Sequence, residues 1–71
     1  MDHEWRARAV FADNIRKHRV ARGIAQERMA QIVGMDRAYY GRVERGQMNI
    51  TIDNMEKIAQ ALEVSLSDLL R

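Results

Sequence analysis

The sequence predicts an all-α fold, a compact bundle of four helices closed by a short last turn. Apolar residues recur at helical spacing through successive segments, and no stretch shows a sustained period-two alternation rich in Val, Ile and Thr. Helix boundaries are marked at both ends. Gly23, Gly34 and Gly46 follow apolar-periodic segments, while Asp36, Thr51 and Ser65 stand where the next ones begin. Proline, the residue that most often interrupts a helix, is absent. At 71 residues the chain is one domain, near the lower limit for a core without covalent staples, and it has no cysteine to supply one.

Residues 1–8 have mixed charge and no clear period, and read as an N-terminal arm or the frayed start of a helix. Residues 9–71 read as the folded domain. Trp5, within the arm, either docks on the domain, packs against a second copy or stays exposed. The first helix is expected from about Ala9 to Ala21, with Phe11, Ile15, His18 and Arg22 on one side and Arg16 and Lys17 outward. His18 is a lone histidine among apolar neighbours, and such a residue is more often core than ligand. With His3 the only other histidine and no cysteine, a zinc site has nothing to build on.

The stretch Gln26 to Arg45, QERMAQIVGMDRAYYGRVER, reads as two short helices joined by a tight turn. Gly34 leaves the first of them, where a left-handed backbone costs least without a Cβ. Ala30 lets the two helices approach closely. Met29, Val33, Met35, Tyr40 and Val43 fall on the inward faces. Asp36 can accept from an orphan N–H at the start of the second helix, whereas Ala25 caps the first one poorly. Arg37, Ala38, Tyr39 and Arg42 are left on the outer face of the second helix, roughly residues 36–45. A helix-turn-helix presents such a helix to the DNA major groove. Gln26 opens its helix where backbone N–H groups and a neutral side chain can meet a phosphate. Arg19 points inward from the first helix, and Glu44 is best placed to meet it as a buried ion pair.

Beyond Gly46, the polar loop Gln47-Met48-Asn49-Ile50 leads to Thr51, which caps a fourth helix with the apolar stripe Ile52, Met55, Ile58, Ala59 and Leu62. Ser65 starts a last short turn bearing Leu66, Leu69 and Leu70. These leucines both complete the core and offer an apolar patch to a second copy, with Leu66 and Leu69 inward and Leu70 shared, and all three are candidates for a dimer interface.

Charge follows the same division. Residues 1–45 carry ten Arg/Lys against six Asp/Glu, while residues 46–71 carry two against four. The positive side coincides with the proposed reading head. Arginine outnumbers lysine ten to two, and its planar fork suits phosphates and guanine edges. Arg6 and Arg8 could extend a basic arm to a minor groove, but Asp2 and Glu4 count against it.

No apolar run approaches the roughly 20 residues that span a bilayer, and no signal segment starts the chain, so a cytoplasmic protein without membrane contact is expected. Catalytic carboxylate pairs, a nucleophilic cysteine and a phosphate-cradling glycine loop are all missing, so no enzyme, cofactor or small-molecule ligand is expected. A protein-interaction module of the antitoxin kind, binding DNA only with a partner protein, is the competing class.

The stretches IRKHRVARGIAQERMAQIVGMDRAYYGRVERG and NITIDNMEKIAQALEVSLSDLL resemble the Cro/CI (XRE-type) helix-turn-helix repressor family over about residues 11–70. The set Arg19, Gly23, Gln26, Ala30, Gly34, Glu44 and Gly46, followed by IAQAL, carries the resemblance. It implies a compact five-helix bundle of the lambda-repressor-like type, helices 2 and 3 forming the helix-turn-helix, that binds palindromic operators in double-stranded DNA as a homodimer. By position, Gln26 would touch phosphate, while Arg37, Ala38 and Arg42 would face base edges. Tyr39, Arg45, Gln47 and Asn49 would contact the DNA backbone, and Arg19 and Glu44 would pair. Three positions depart from the family: Ala25 replaces Thr, Ser or Asn, His18 replaces an aliphatic residue, and Tyr40 replaces Leu or Ile, a larger ring that could extend from the inward face to the surface. Within the family, DRAYYGRVERG and NITIDNMEKIAQAL are similar to controller proteins of restriction–modification systems; stand-alone phage or chromosomal repressors look alike.

Overall fold

The computed structural model describes the backbone of residues 3–71 and the side chains from Arg6 onward. The expectation for Trp5 lies outside the described residues. Five helices and no strand occur among them: α1 (His3–Ala21), α2 (Gln26–Val33), α3 (Arg37–Glu44), α4 (Ile52–Leu62) and α5 (Leu66–Leu69). Helix α1 begins within the stretch read as an arm, six residues before the expected Ala9. No proline or glycine interrupts residues 3–9, so nothing local stops the helix from extending back.

The caps explain where the later helices begin. Asp36 accepts from the N–H groups of Ala38 and Tyr39, at 2.9 and 3.1 Å. Thr51 Oγ1 accepts from Asn54 N–H and Ser65 Oγ from Asp68 N–H, both at 3.1 Å. Each satisfies backbone donors that a helix leaves orphaned, worth about 1 kcal/mol apiece. Ala25 supplies no such bond to α2. Gly34 ends α2 in the left-handed region at φ 70°, and its N–H returns to the carbonyls of Ala30 and Gln31.

Helix α1 lies across α3, α4 and α5, while α2 packs on α3 and α4. Between them Phe11, Ile15, Met29, Ala30, Val33, Tyr40, Val43, Ile58, Ala59, Leu62 and Leu69 form one buried cluster. Met35 and Tyr39 are half-buried against it. Tyr40 keeps the inward place its spacing gives it: it is fully buried, its ring does not reach the surface, and its Oη lies beside Glu44 and Arg19 without a well-formed hydrogen bond. Two expectations are corrected here. Ile52 leaves the apolar stripe of its helix and is 68% exposed, because at the first turn of α4 its side chain lies beyond the core's edge. Arg22 lies outside the packed face of α1 and is exposed, whereas His18 is half-buried.

Helix α5 is held from α1 by a contact that periodicity does not reveal. Asn14 Nδ2 donates to the carbonyls of Leu69 and Arg71, both at 3.0 Å. With Leu69 in the core, the last turn cannot peel away without losing apolar burial and two hydrogen bonds.

Candidate nucleic-acid interface

The outer face of α3 follows from its burial pattern. Tyr40, Val43 and Glu44 turn inward, which leaves Arg37, Ala38, Arg42 and Arg45 exposed on the far side. Gln26, from the first turn of α2, joins them, and Gln26, Arg37, Ala38, Gly41, Arg42 and Arg45 line one open groove. The structure therefore brings together three exposed cationic side chains and a methyl on the outer side of α3, with the Gln26 amide and the Arg45 guanidinium closing over a buried Gly41.

Beneath this face lies the ion pair. Arg19 Nε stands 2.6 Å from Glu44 Oε2, and Nη2 stands 3.0 Å from Oε1, a two-pronged contact. Arg19 Nη1 donates to the Ile24 carbonyl at 2.6 Å. Glu44 is 2% exposed and Arg19 12%. Burial pushes the Glu44 carboxyl up, but hydrogen bonds from Arg19, the neighbouring Tyr40 hydroxyl and a hydrogen bond from Gln26, with the arginine's charge, outweigh it and hold the group below its ordinary value. Arg19 is held charged by its hydrogen bonds to Glu44 and by that carboxylate's charge. Helix α1 is thus tied to the C-terminal end of α3 by a fully ionised pair, and the reading face cannot rock without breaking it.

The remaining site residues sit at the margins. Arg45 Nε donates to Gln47 Oε1 at 3.2 Å, so these two form one polar unit after α3. Asn49 Oδ1 accepts from Arg8 Nη2 of α1. Tyr39 lies half-buried against the core, with only part of its ring outward. Gln26 does not stand free to meet a phosphate with its whole amide, because its Nε2 donates to Glu44 Oε1 at 3.1 Å. Of the three leucines considered for an interface, Leu69 is fully buried within the single chain and offers no surface; it completes the core. Leu66 is half-buried and Leu70 is 41% exposed.

Gly41 went unremarked in the sequence, although a glycine inside a helix costs about 1 kcal/mol against alanine and so signals a demand for space. Asn14 carries no comparable signal: a helical asparagine facing a turn 55 residues away has no local pattern to betray it.

Two helices at a tight Gly34 turn, the second with its arginine-bearing face uncovered, define a helix-turn-helix of the DNA-binding type. Known proteins agree. The helix-turn-helix family model HTH_3 matches residues 15–69, and the chain belongs to this family, the XRE type. A hypothetical transcription factor of Neisseria meningitidis serogroup B is 48% identical over 89% of this chain, which spans only 59% of that relative's length. The crystal structure of the restriction–modification controller protein C.AhdI from Aeromonas hydrophila superposes with a TM-score of 0.81 at 41% identity, covering 86% of this chain and 92% of that one. SinR, a master regulator for biofilm formation solved in complex with DNA, gives a TM-score of 0.79 at 29% identity over 86% of this chain and 98% of its own. No helix among the described residues is long and apolar enough to cross a membrane.

Proposed function

We propose that the protein is a sequence-specific regulator of transcription that binds double-stranded DNA as a homodimer on a palindromic operator, and that it controls a restriction–modification operon. The observation that carries this reading is the uncovered face of α3, with Arg37, Ala38 and Arg42 side by side on a helix fixed from below by Arg19 and Glu44. Arg37 and Arg42 each fork onto guanine O6 and N7 or onto a phosphate, and Ala38 takes a thymine methyl or gives the groove room. Tyr39, Arg45, Gln47 and Asn49 contact the DNA backbone, which sets register without reading sequence. The controller assignment is supported by the likeness to C.AhdI over most of both chains.

A monomer reading four or five base pairs specifies too little sequence to find one site in a genome. Pairing two copies doubles the contacts and spaces the half-sites about one helical turn apart. Exposed Leu70, with Leu66 beside it, supplies apolar surface for that contact. Binding rather than catalysis suits a groove lined by arginines and a glycine with no nucleophile, and a protein of this kind works in the cytoplasm. Arg42→Ala tests the reading directly. The side chain is exposed, so the melting temperature stays as it is while affinity for the selected operator falls at least about tenfold. Unchanged discrimination between operator and scrambled DNA would remove Arg42 from the reading head.

A further inference from the structure

Glu44 makes three hydrogen bonds, and only two belong to the ion pair. The third comes from Gln26 Nε2 on the groove side. An ionised carboxylate only accepts, and this one is held ionised, so the Gln26 amide has a single permitted orientation: nitrogen toward Glu44, oxygen away. The oxygen lies over Gly41. A Cβ placed on that glycine would stand 3.4 Å from Gln26 Oε1 and 3.3 Å from Arg45 Nη1. The missing side chain on α3 therefore leaves a notch into which an amide from α2 and a guanidinium from the end of α3 both reach.

We propose that Glu44, besides holding α1 to α3, is a positioning residue for DNA recognition: through Gln26 it presents one fixed amide edge, Oε1 and the remaining N–H, at the Gly41 notch beside Arg45. Isolated on a surface, a glutamine samples several rotamers and both amide orientations, and binding must freeze them. Here the buried carboxylate has already done so. This rests on the DNA-binding reading above, and it extends the rigid ion pair to the side chains that meet the nucleic acid.

The test is a double-mutant cycle read as affinity for the operator that the wild-type protein selects. Glu44→Gln, Gln26→Ala and the double variant are compared with wild type, each melted in parallel so that binding is measured where it is folded. Glu44→Gln lowers affinity about three- to tenfold in the wild-type background and less than about twofold once Gln26 is alanine. Its loss of melting temperature is similar in both backgrounds. Equal losses of affinity in the two backgrounds would overturn the proposal and leave Glu44 a scaffold residue. Should Glu44→Gln not fold, Gly41→Ala replaces it in the cycle. It crowds both Gln26 Oε1 and Arg45 Nη1, leaves the ion pair intact and lowers affinity, and the part of the loss that passes through Gln26 disappears in the Gln26→Ala background while the part through Arg45 remains. Equal losses of affinity for Gly41→Ala in the two backgrounds would equally overturn the proposal. If the wild-type protein selects no sequence, the DNA-binding reading fails and the positioning role falls with it.

Discussion

Replacing Glu44 by alanine isolates the contribution of the ion pair to the fold. The variant deletes two hydrogen bonds to Arg19 and one to Gln26, and it leaves a guanidinium that is 12% exposed with the Ile24 carbonyl as its remaining acceptor. Breaking a buried pair by removing one member costs about 3–5 kcal/mol. Arg19 keeps one good acceptor and a little access to water, which places this case near the lower end, about 3 kcal/mol. A 71-residue domain has roughly 4–11 kcal/mol of stability in all, so the variant gives up a quarter or more of it. At roughly 4–8 °C per kcal/mol for a domain of this size, the melting temperature falls by about 12–24 °C. Thermal unfolding followed by far-ultraviolet circular dichroism at pH 7 measures this. The sign of the pH dependence gives a second reading of the same prediction. Glu44 titrates below its ordinary value of 4.5 in the folded chain. Its stabilisation is therefore complete above that value and fades as pH falls below it toward the folded-state value. Wild type loses stability through that acid range more steeply than Glu44→Ala, and the two curves approach each other. A variant that melts within about 2 °C of wild type at pH 7, with a parallel acid limb, would refute the argument that the pair holds α1 to α3.

Ala25→Ser supplies the cap that α2 lacks; the residue already has the extended conformation of a cap, φ −69° and ψ 150°, so the melting temperature rises by about 4–8 °C for roughly 1 kcal/mol. Gly34→Ala meets no atom within 4 Å but must hold φ +70°, so a drop of about 1–2 kcal/mol in urea unfolding comes from backbone strain alone, and an unchanged midpoint would show that the turn relaxes. Tyr40→Phe removes a buried hydroxyl that lies beside Glu44 without a well-formed hydrogen bond, so stability is unchanged or raised by up to about 1 kcal/mol; a loss of more than about 1 kcal/mol would show that Oη donates to the Glu44 carboxylate. Leu70→Glu leaves the exposed fold unaltered and shifts sedimentation toward the monomer, with weaker operator binding; an unchanged oligomer would place the interface elsewhere.

Much of the architecture is written locally. Asp36, Thr51 and Ser65 announce three helix starts because a cap acts within three residues, and Gly34 announces the turn because its backbone geometry excludes most other residues. Arg19 and Glu44 are legible as a pair because two opposite charges on inward faces have little else to meet. What stays hidden depends on distances along the chain or on the edge of the core. Ile52 belongs to the period of α4 yet lies beyond the packed surface, since periodicity gives a direction but not where the neighbouring helix ends. Tyr40 has the inward spacing of a core residue, but that spacing does not tell that its ring fits wholly inside, where apolar burial outweighs a hydroxyl without a well-formed hydrogen bond. Gln26 illustrates the limit at the reading face. Its place at the start of α2 is evident, but its bond to Glu44, 18 residues away, appears only once both helices are in place.

The central claim is that the uncovered face of α3 reads a DNA sequence from two copies of the chain. Selection of genomic fragments by the purified protein, at physiological salt with excess competitor, followed by sequencing, tests it most directly. The expected result is an enriched palindrome with half-sites about one helical turn apart. Binding without any enriched sequence, fading smoothly as salt rises, would contradict it and leave the helix-turn-helix a scaffold awaiting a protein partner.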